Sequence, residues 1–215
     1  YHGIDCSQWD KITPLKQRKD IVLTIALLNS YEVIRKRIMT IVKCAEIIQK
    51  RSLGLKFYIV GRQTDNQQIK EVRKYIKGKD ITNVVFTGYI SNDEKNDLLL
   101  SAKYYLQPTL YEGFGVAIAE AMSYGVPVLT SNVPSVDEVV GNAGIYCAGA
   151  NEFADAIETL ISRANRKTFA VMCGEENPTS CHRRLLVGRV LEDHGATIIH
   201  IRGDGSTVSE TELAE

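Results

Sequence analysis

The stretch "LYEGFGVAIAEAMSYGVPVLTSN" (110–132) sets Glu112 and Glu120 eight positions apart, with a Gly-Phe-Gly turn directly after the first. Two carboxylates invite an acid–base reading. Eight residues of helix, however, rise about 12 Å at roughly 1.5 Å each, whereas the carboxyl pairs of glycoside hydrolases lie about 5 to 9.5 Å apart. The spacing suits two grips on one extended ligand better than a dyad. A carboxylate accepts several hydrogen bonds and can hold vicinal hydroxyls. A glycine turn that opens a helix gathers backbone N–H groups and the positive end of the helix dipole, which suits a phosphate. In such an arrangement Glu120, about two turns into the helix, holds a ribose, and Glu112, at its mouth, holds a sugar. Nothing in the chain fits G-x-G-x-x-G or a P-loop, so any nucleotide is bound by another pattern.

Such residues need a frame, and the chain supplies one. Short apolar runs rich in β-branched residues are "DIVLTIALL" (20–28), "KFYIVG" (56–61), "NVVFTG" (83–88), "YYLQP" (104–108), "PVLTS" (127–131) and "GIYC" (144–147). Between them lie longer stretches of helical period, beginning with "EVIRKRIMTIVKCAEIIQKRS" (32–52), which reads as one helix. Near-continuous apolar strands alternating with amphipathic helices predict an α/β fold, a Rossmann-like, doubly wound parallel sheet. Its loops collect at the carboxyl edge, where Gly61-Arg62, Gly88-Tyr89 and Tyr111 to Gly115 are placed together. From residue type alone Arg62 reads as a loop charge, Tyr111 and Phe114 as packing residues, and His2 as an exposed linker residue. The helix "FADAIETLISRA" (153–164) closes a first unit, 1–164. Residues 165–215 then read as a partial α/β segment, strand–helix–strand, packed on the same sheet and ending in the polar, frayed tail "STVSETELAE".

Composition bounds the class. The 215 residues can bury a real core, and the 44% hydrophobic and 24% charged fractions are those of an ordinary globular protein. Net charge is zero, with 26 basic and 26 acidic residues, so a nucleic-acid partner is not expected. No apolar run reaches the length of a membrane span. Five scattered cysteines without a C-x-x-C fit a reducing, cytoplasmic setting.

"YEGFGVAIAEAMSYGVPVLTSNVPSVDEVVGNAGIYC" resembles the E-x7-E signature and following strand of retaining glycosyltransferases of the GT-B fold, the large family four. "LKFYIVG" and "ITNVVFTGYISNDEKNDLLLSAKYYLQPT" follow that family's donor-binding domain in order, and the resemblance covers about residues 1–164. It implies a nucleotide-diphosphate sugar as donor ligand, with no other cofactor and no metal. Glu112 then touches the donor sugar, Gly113, Phe114 and Gly115 the sugar-phosphate, Glu120 the ribose, and Gly88-Tyr89 pass near the base. Lys36 in "VIRKRI" matches the lysine that clamps the diphosphate. The arginine that usually accompanies it after the first strand is replaced by Ala26-Leu27, with Arg35 or Arg37 as possible substitutes. Losing one such charge costs on the order of 3 kcal/mol in the transition state. "YHGID" resembles the connection before this domain, so the chain, which lacks an initiator Met, reads as a piece of a longer protein. The acceptor domain is then missing, no catalytic set is complete in this chain, and that domain or a homodimer is the expected protein partner.

The tail resembles a second family. Cys173 and Glu175, then Cys181, His182 and Arg183 opening a helix, then a strand ending at "HI" match the last part of the domain of unknown function numbered four-eight-eight, over about residues 166–202. Their spacing is neither a usual zinc pattern nor the C-x5-R of phosphatases. A structural role is the default, with Cys181 buried and His182-Arg183 anchoring the loop. Arg183, Arg184 and Arg189 also raise an anion- or nucleic-acid-binding reading, against which the zero net charge argues. Two partial domains joined without a linker point to a designed or recombined chimera as the alternative to a glycosyltransferase half; a natural fusion or truncated gene model is a further reading.

Overall fold

A computed structural model describes residues 12–164, 199–201 and 207–209. Six parallel strands form one sheet: β1 (Lys19–Ile25), β2 (Lys56–Val60), β3 (Val84–Gly88), β4 (Ala102–Gln107), β5 (Val128–Thr130) and β6 (Ile145–Tyr146). Their order is β3-β2-β1-β4-β5-β6, so the chain winds outward from β1 and then reverses, leaving a switch point between β1 and β4. The helices between them are α1 (Ser30–Arg35), α2 (Ile38–Lys50), α3 (Gln67–Gly78), α4 (Asn92–Ser101), α5 (Val116–Ser123), α6 (Pro134–Val140) and α7 (Ala150–Ala164).

The strands read as continuous apolar runs because both faces of the sheet are covered. Alternate residues go to opposite sides. Val22, Phe57, Ile59, Tyr104 and Leu106 face a core shared with Ile38, Ile41 and Ile48 of α2, Ile69 and Val72 of α3, and Phe153 and Ile157 of α7. Ile21, Leu23, Val60, Tyr105 and Val128 face a second core with Leu99 of α4, Ile118 and Ala121 of α5, and Val136 and Val140 of α6. The doubly wound, Rossmann-like α/β sheet expected from the apolar pattern is the fold.

Two expectations are corrected. The stretch 32–52 is two helices, not one: α1 stops at Arg35, Lys36 caps it, and Arg37 turns left-handed (φ 51°) before α2 begins. The strand at 199–201, β7 (Ile199–Ile201), does not join the six-stranded sheet but pairs antiparallel with β8 (Thr207–Ser209), inside the stretch read as frayed. The remainder of the expected strand–helix–strand lies outside the described residues.

Two contacts fix the ends of the central strands. Gly61 approaches β1 so closely that a Cβ there would lie 1.8 Å from the Ala26 carbonyl oxygen, a position that admits only glycine. At the opposite edge Arg18, 5% exposed, donates to the carbonyls of Thr13 (2.7 Å), Leu99 (3.2 Å), Ala102 (2.9 Å) and Tyr124 (2.6 Å). Leu99 and Tyr124 lie at the C-terminal ends of α4 and α5, where a cation complements the helix dipoles. Burial lowers its pKa to about 10, which leaves it charged at neutral pH. Replacing Arg18 by Met strands these buried carbonyls and is expected to lower unfolding free energy by about 3 kcal/mol in urea denaturation; an unchanged midpoint would show that the carbonyls find other donors.

Candidate functional site

The turns that follow β1 and β4 meet at the switch point, at the carboxyl edge of the sheet. Glu112 leaves the end of β4 with its side chain only 7% exposed. Its Oε1 accepts from Lys36 Nζ and from Gln107 Nε2, each at 2.7 Å, and its Oε2 pairs with Arg35 Nη1 at 2.8 Å. Arg35 is itself held, with Nε and Nη2 forking onto Glu32 at 3.0 and 2.7 Å and Nη1 donating to the Tyr111 carbonyl at 2.7 Å. Beneath the cluster, the Tyr105 hydroxyl donates to Gln107 Oε1 at 2.7 Å, and the Thr130 hydroxyl donates to the Gln107 carbonyl at 2.8 Å. Gln107 and Tyr105 are fully buried, so this is a satisfied interior network that reaches the surface only at the ion cluster.

The electrostatics of the pair are asymmetric. Burial, the largest single effect, pushes the Glu112 carboxyl up, but the hydrogen bonds and charges of Lys36 and Arg35 together overcome it and hold the group below the ordinary carboxylate range. For Lys36 burial is the largest effect and, with the like charge of Arg35, outweighs its bond to Glu112 and the charges of Glu112 and Glu32, holding its amine below the ordinary lysine range. Arg35 is raised, chiefly by its hydrogen bond to Glu32.

After Glu112 the chain turns through Gly113 and Phe114 to Gly115, whose φ of 79° caps α5 in the left-handed region. A side chain at Gly115 would be strained there, which explains the glycine. Glu120, on α5, is held by Lys95 of α4 and not by the Glu112 cluster. The two glutamates therefore share no cation: Glu112 has Lys36 and Arg35, and Glu120 has Lys95. At the neighbouring strand ends the Gly61 N–H donates to the Gly88 carbonyl (3.0 Å), and the Arg62 guanidinium stacks 5.7 Å from the ring centroid of Tyr89, itself 74% exposed. Leu27 lies at the end of β1, 46% exposed, where the expected arginine is absent. Of its two possible substitutes, Arg35 is in the cluster, while Arg37 donates to the Ala148 carbonyl at 2.9 Å, away from Glu112. Two shallow depressions lie elsewhere, against α3, beside Arg73 and Phe86 and beside Lys74 and Tyr75.

Of the residues singled out in the sequence, Lys36 meets Glu112 at the carboxyl edge and Gly115 caps α5 beside them, while Glu120 pairs separately with Lys95. Gln107 and Lys95 were not among the expected residues, though a lone amide in the strand "YYLQP" and a single cation in the acidic run "NDEKND" were visible signals. Cys173, Glu175, Cys181, His182 and Arg183 lie outside the described residues. Among the described residues no cluster of three His, Cys, Asp or Glu could hold a metal, and no helix is long and apolar enough to cross a membrane.

This fold and edge define a Rossmann-like domain of the kind found in GT-B glycosyltransferases. Similar structures include Anabaena HepE in complex with UDP (TM-score 0.63, 19% identity, over 77% of this chain and 48% of that one). The chain belongs to the group 1 glycosyltransferases, whose family model matches residues 19–163. It is 48% identical over 76 residues to O-antigen chain mannosyltransferase B of Escherichia coli, 35% of this chain and 19% of that protein. It is 27% identical over 141 residues to a serotype-specific mannosyltransferase of the same organism, 61% of this chain and 16% of that one. The chain thus spans about a fifth or less of these two relatives. A second model, the domain of unknown function DUF488, matches residues 144–190, beginning inside the glycosyltransferase domain at β6 and earlier than the tail resemblance placed it.

Because its folded pKa is depressed, Glu112 contributes stability above the ordinary carboxylate range and loses it as pH falls through the lowered value. Replacing Glu112 by Gln leaves the buried Lys36 ammonium without its paired carboxylate and Arg35 with Glu32 alone, and is expected to cost about 3 kcal/mol at pH 7. That difference should shrink as pH drops below about 4. Urea melts of both proteins across that range check it, and equal stability at pH 7 would refute the buried-pair account.

Proposed function

We propose that this chain is the nucleotide-sugar-binding half of a retaining glycosyltransferase of family four, its E-x7-E pair being Glu112 and Glu120. The observation that carries the reading is the meeting of Lys36 and Glu112 across the β1–β4 switch point, beside the glycine-capped start of α5. Lys36 gives one of its three ammonium protons to Glu112, leaving two for a diphosphate. A carboxylate offers about four lone-pair positions, and Lys36, Gln107 and Arg35 fill three of those on Glu112. The fourth suits one hydroxyl of a donor sugar. Gly113, Phe114, Gly115 and the first turn of α5 take the sugar-phosphate, Glu120 the ribose, and Gly88-Tyr89 the base.

HepE, a structural relative, is described in complex with UDP, and the E. coli relatives are mannosyltransferases, which supports a nucleotide-diphosphate sugar as donor and hexosyl transfer as the reaction class. Transfer in this reading requires an acceptor domain over the carboxyl edge. Leu27, Tyr31, Ile34 and Tyr111 support it, being large apolar groups 46 to 58% exposed beside the site. The buried free thiols of Cys44 and Cys147 agree with a cytoplasmic setting. A second reading, a recombined or engineered chimera whose motif is inherited scaffold, is supported by two unrelated family matches at 19–163 and 144–190.

Calorimetric titration with UDP, GDP, ADP and their sugar conjugates, alongside Glu120→Ala, separates the two. Saturable binding of one nucleotide, weakened at least about tenfold in the variant, is the expected result; a cooperatively folded chain that binds none supports the chimera. Affinity should also decline with rising pH before the ordinary lysine range of about 10.4 is reached, because burial makes Lys36 lose its proton early.

A further inference from the structure

We infer that Lys95 is a positioning residue for Glu120 and sets how strongly the site distinguishes ribose from deoxyribose. The inference rests on the proposal that Glu120 binds the ribose of a nucleotide. The Lys95 Nζ donates to Glu120 Oε1 across the gap between α4 and α5, and both side chains are 24% exposed. Among the described residues Glu120 Oε2 accepts no hydrogen bond, so one oxygen is tied and the other is left for a ligand.

The place of Lys95 is otherwise unfavourable. It lies near the start of α4, directly after the capping box of Ser91 and Glu94, with Asp93 and Glu94 in the first turn. A cation there opposes the helix dipole. The capping box fixes the helix start, and the Lys95 N–H donates to the Ser91 carbonyl at 3.0 Å, so the backbone from which the side chain springs is pinned. A dipole-opposed cation on a fixed helix start, bonded to a carboxylate on the next helix, orders that carboxylate before any ligand arrives. Ordering beforehand removes a cost that binding otherwise bears. It also neutralises Glu120, which lies on the same short helix whose N-terminus would receive phosphates, so the anion is not repelled from its own site.

The test uses the full chain, taking whichever of UDP, GDP or ADP binds and its 2′-deoxy counterpart. The wild type should prefer the ribonucleotide by about tenfold. Lys95→Met should weaken ribonucleotide binding by about fivefold to tenfold and bring the preference close to unity. Lys95→Arg should restore both, and Lys95→Met combined with Glu120→Gln should be no weaker than Glu120→Gln alone. A cooperative thermal transition retained in each variant keeps misfolding apart from positioning. If the wild type binds and discriminates while Lys95→Met does so equally well or better, the inference is overturned and the donor-site reading stands. If no ribonucleotide binds to the wild type, the donor-site reading falls and the inference falls with it.

Discussion

The buried carboxylate of Glu112 is the constraint around which the carboxyl edge is built. An isolated anion at that depth costs several kcal/mol, on the order of what a whole domain has to spare. It is tolerated because two cations from the β1 side reach it from one short junction. The junction has to be short and bent to do so. The break between α1 and α2 puts Arg35 on the last residue of one helix and Lys36 on its cap, with the left-handed Arg37 starting the next. The sheet order makes the meeting possible, since β1 and β4 are neighbours only because the winding reverses there.

Much of the fold was legible because each strand is buried on both faces, and a run of β-branched and aromatic residues has few other places to go. Glu112, Gly115 and Glu120 were legible because the turn chemistry that joins them is local: a glycine at positive φ, a helix start and a carboxylate on either side. The partners were not legible. Arg35 and Lys36 lie some 76 positions before Glu112, and Lys95 lies 25 before Glu120, so only the topology decides which cation meets which anion. The helix break at Arg37 was hidden for a related reason. "VIRKRIM" has good helical composition throughout, and the tertiary pairing of Lys36 overrides it. The pairing of β7 with β8 was missed because a polar segment such as "STVS" gives no apolar alternation to read.

The same groups serve stability and the site. The chain from Tyr105 through Gln107 to Glu112 carries order from the sheet interior to its rim, and every member has a partner. Arg18 is the counterpart at the opposite edge, a cation that gathers helix C-termini. One end of the sheet is thus closed by an internally satisfied cation. The other is closed by an anion held by two cations and an amide, and that asymmetry distinguishes the two edges.

Cys44 and Cys147 sit in the hydrophobic layer on the α2 face, at 0% and 7% exposure, and burial raises their thiols to about 12 and about 11. A thiol must be exposed and deprotonated to be alkylated, so neither group reports on the folded surface at neutral pH. Both report on its opening. The rate at which a maleimide captures them measures how often the layer between α2 and β6 parts, which gives the domain a built-in clock for its own breathing.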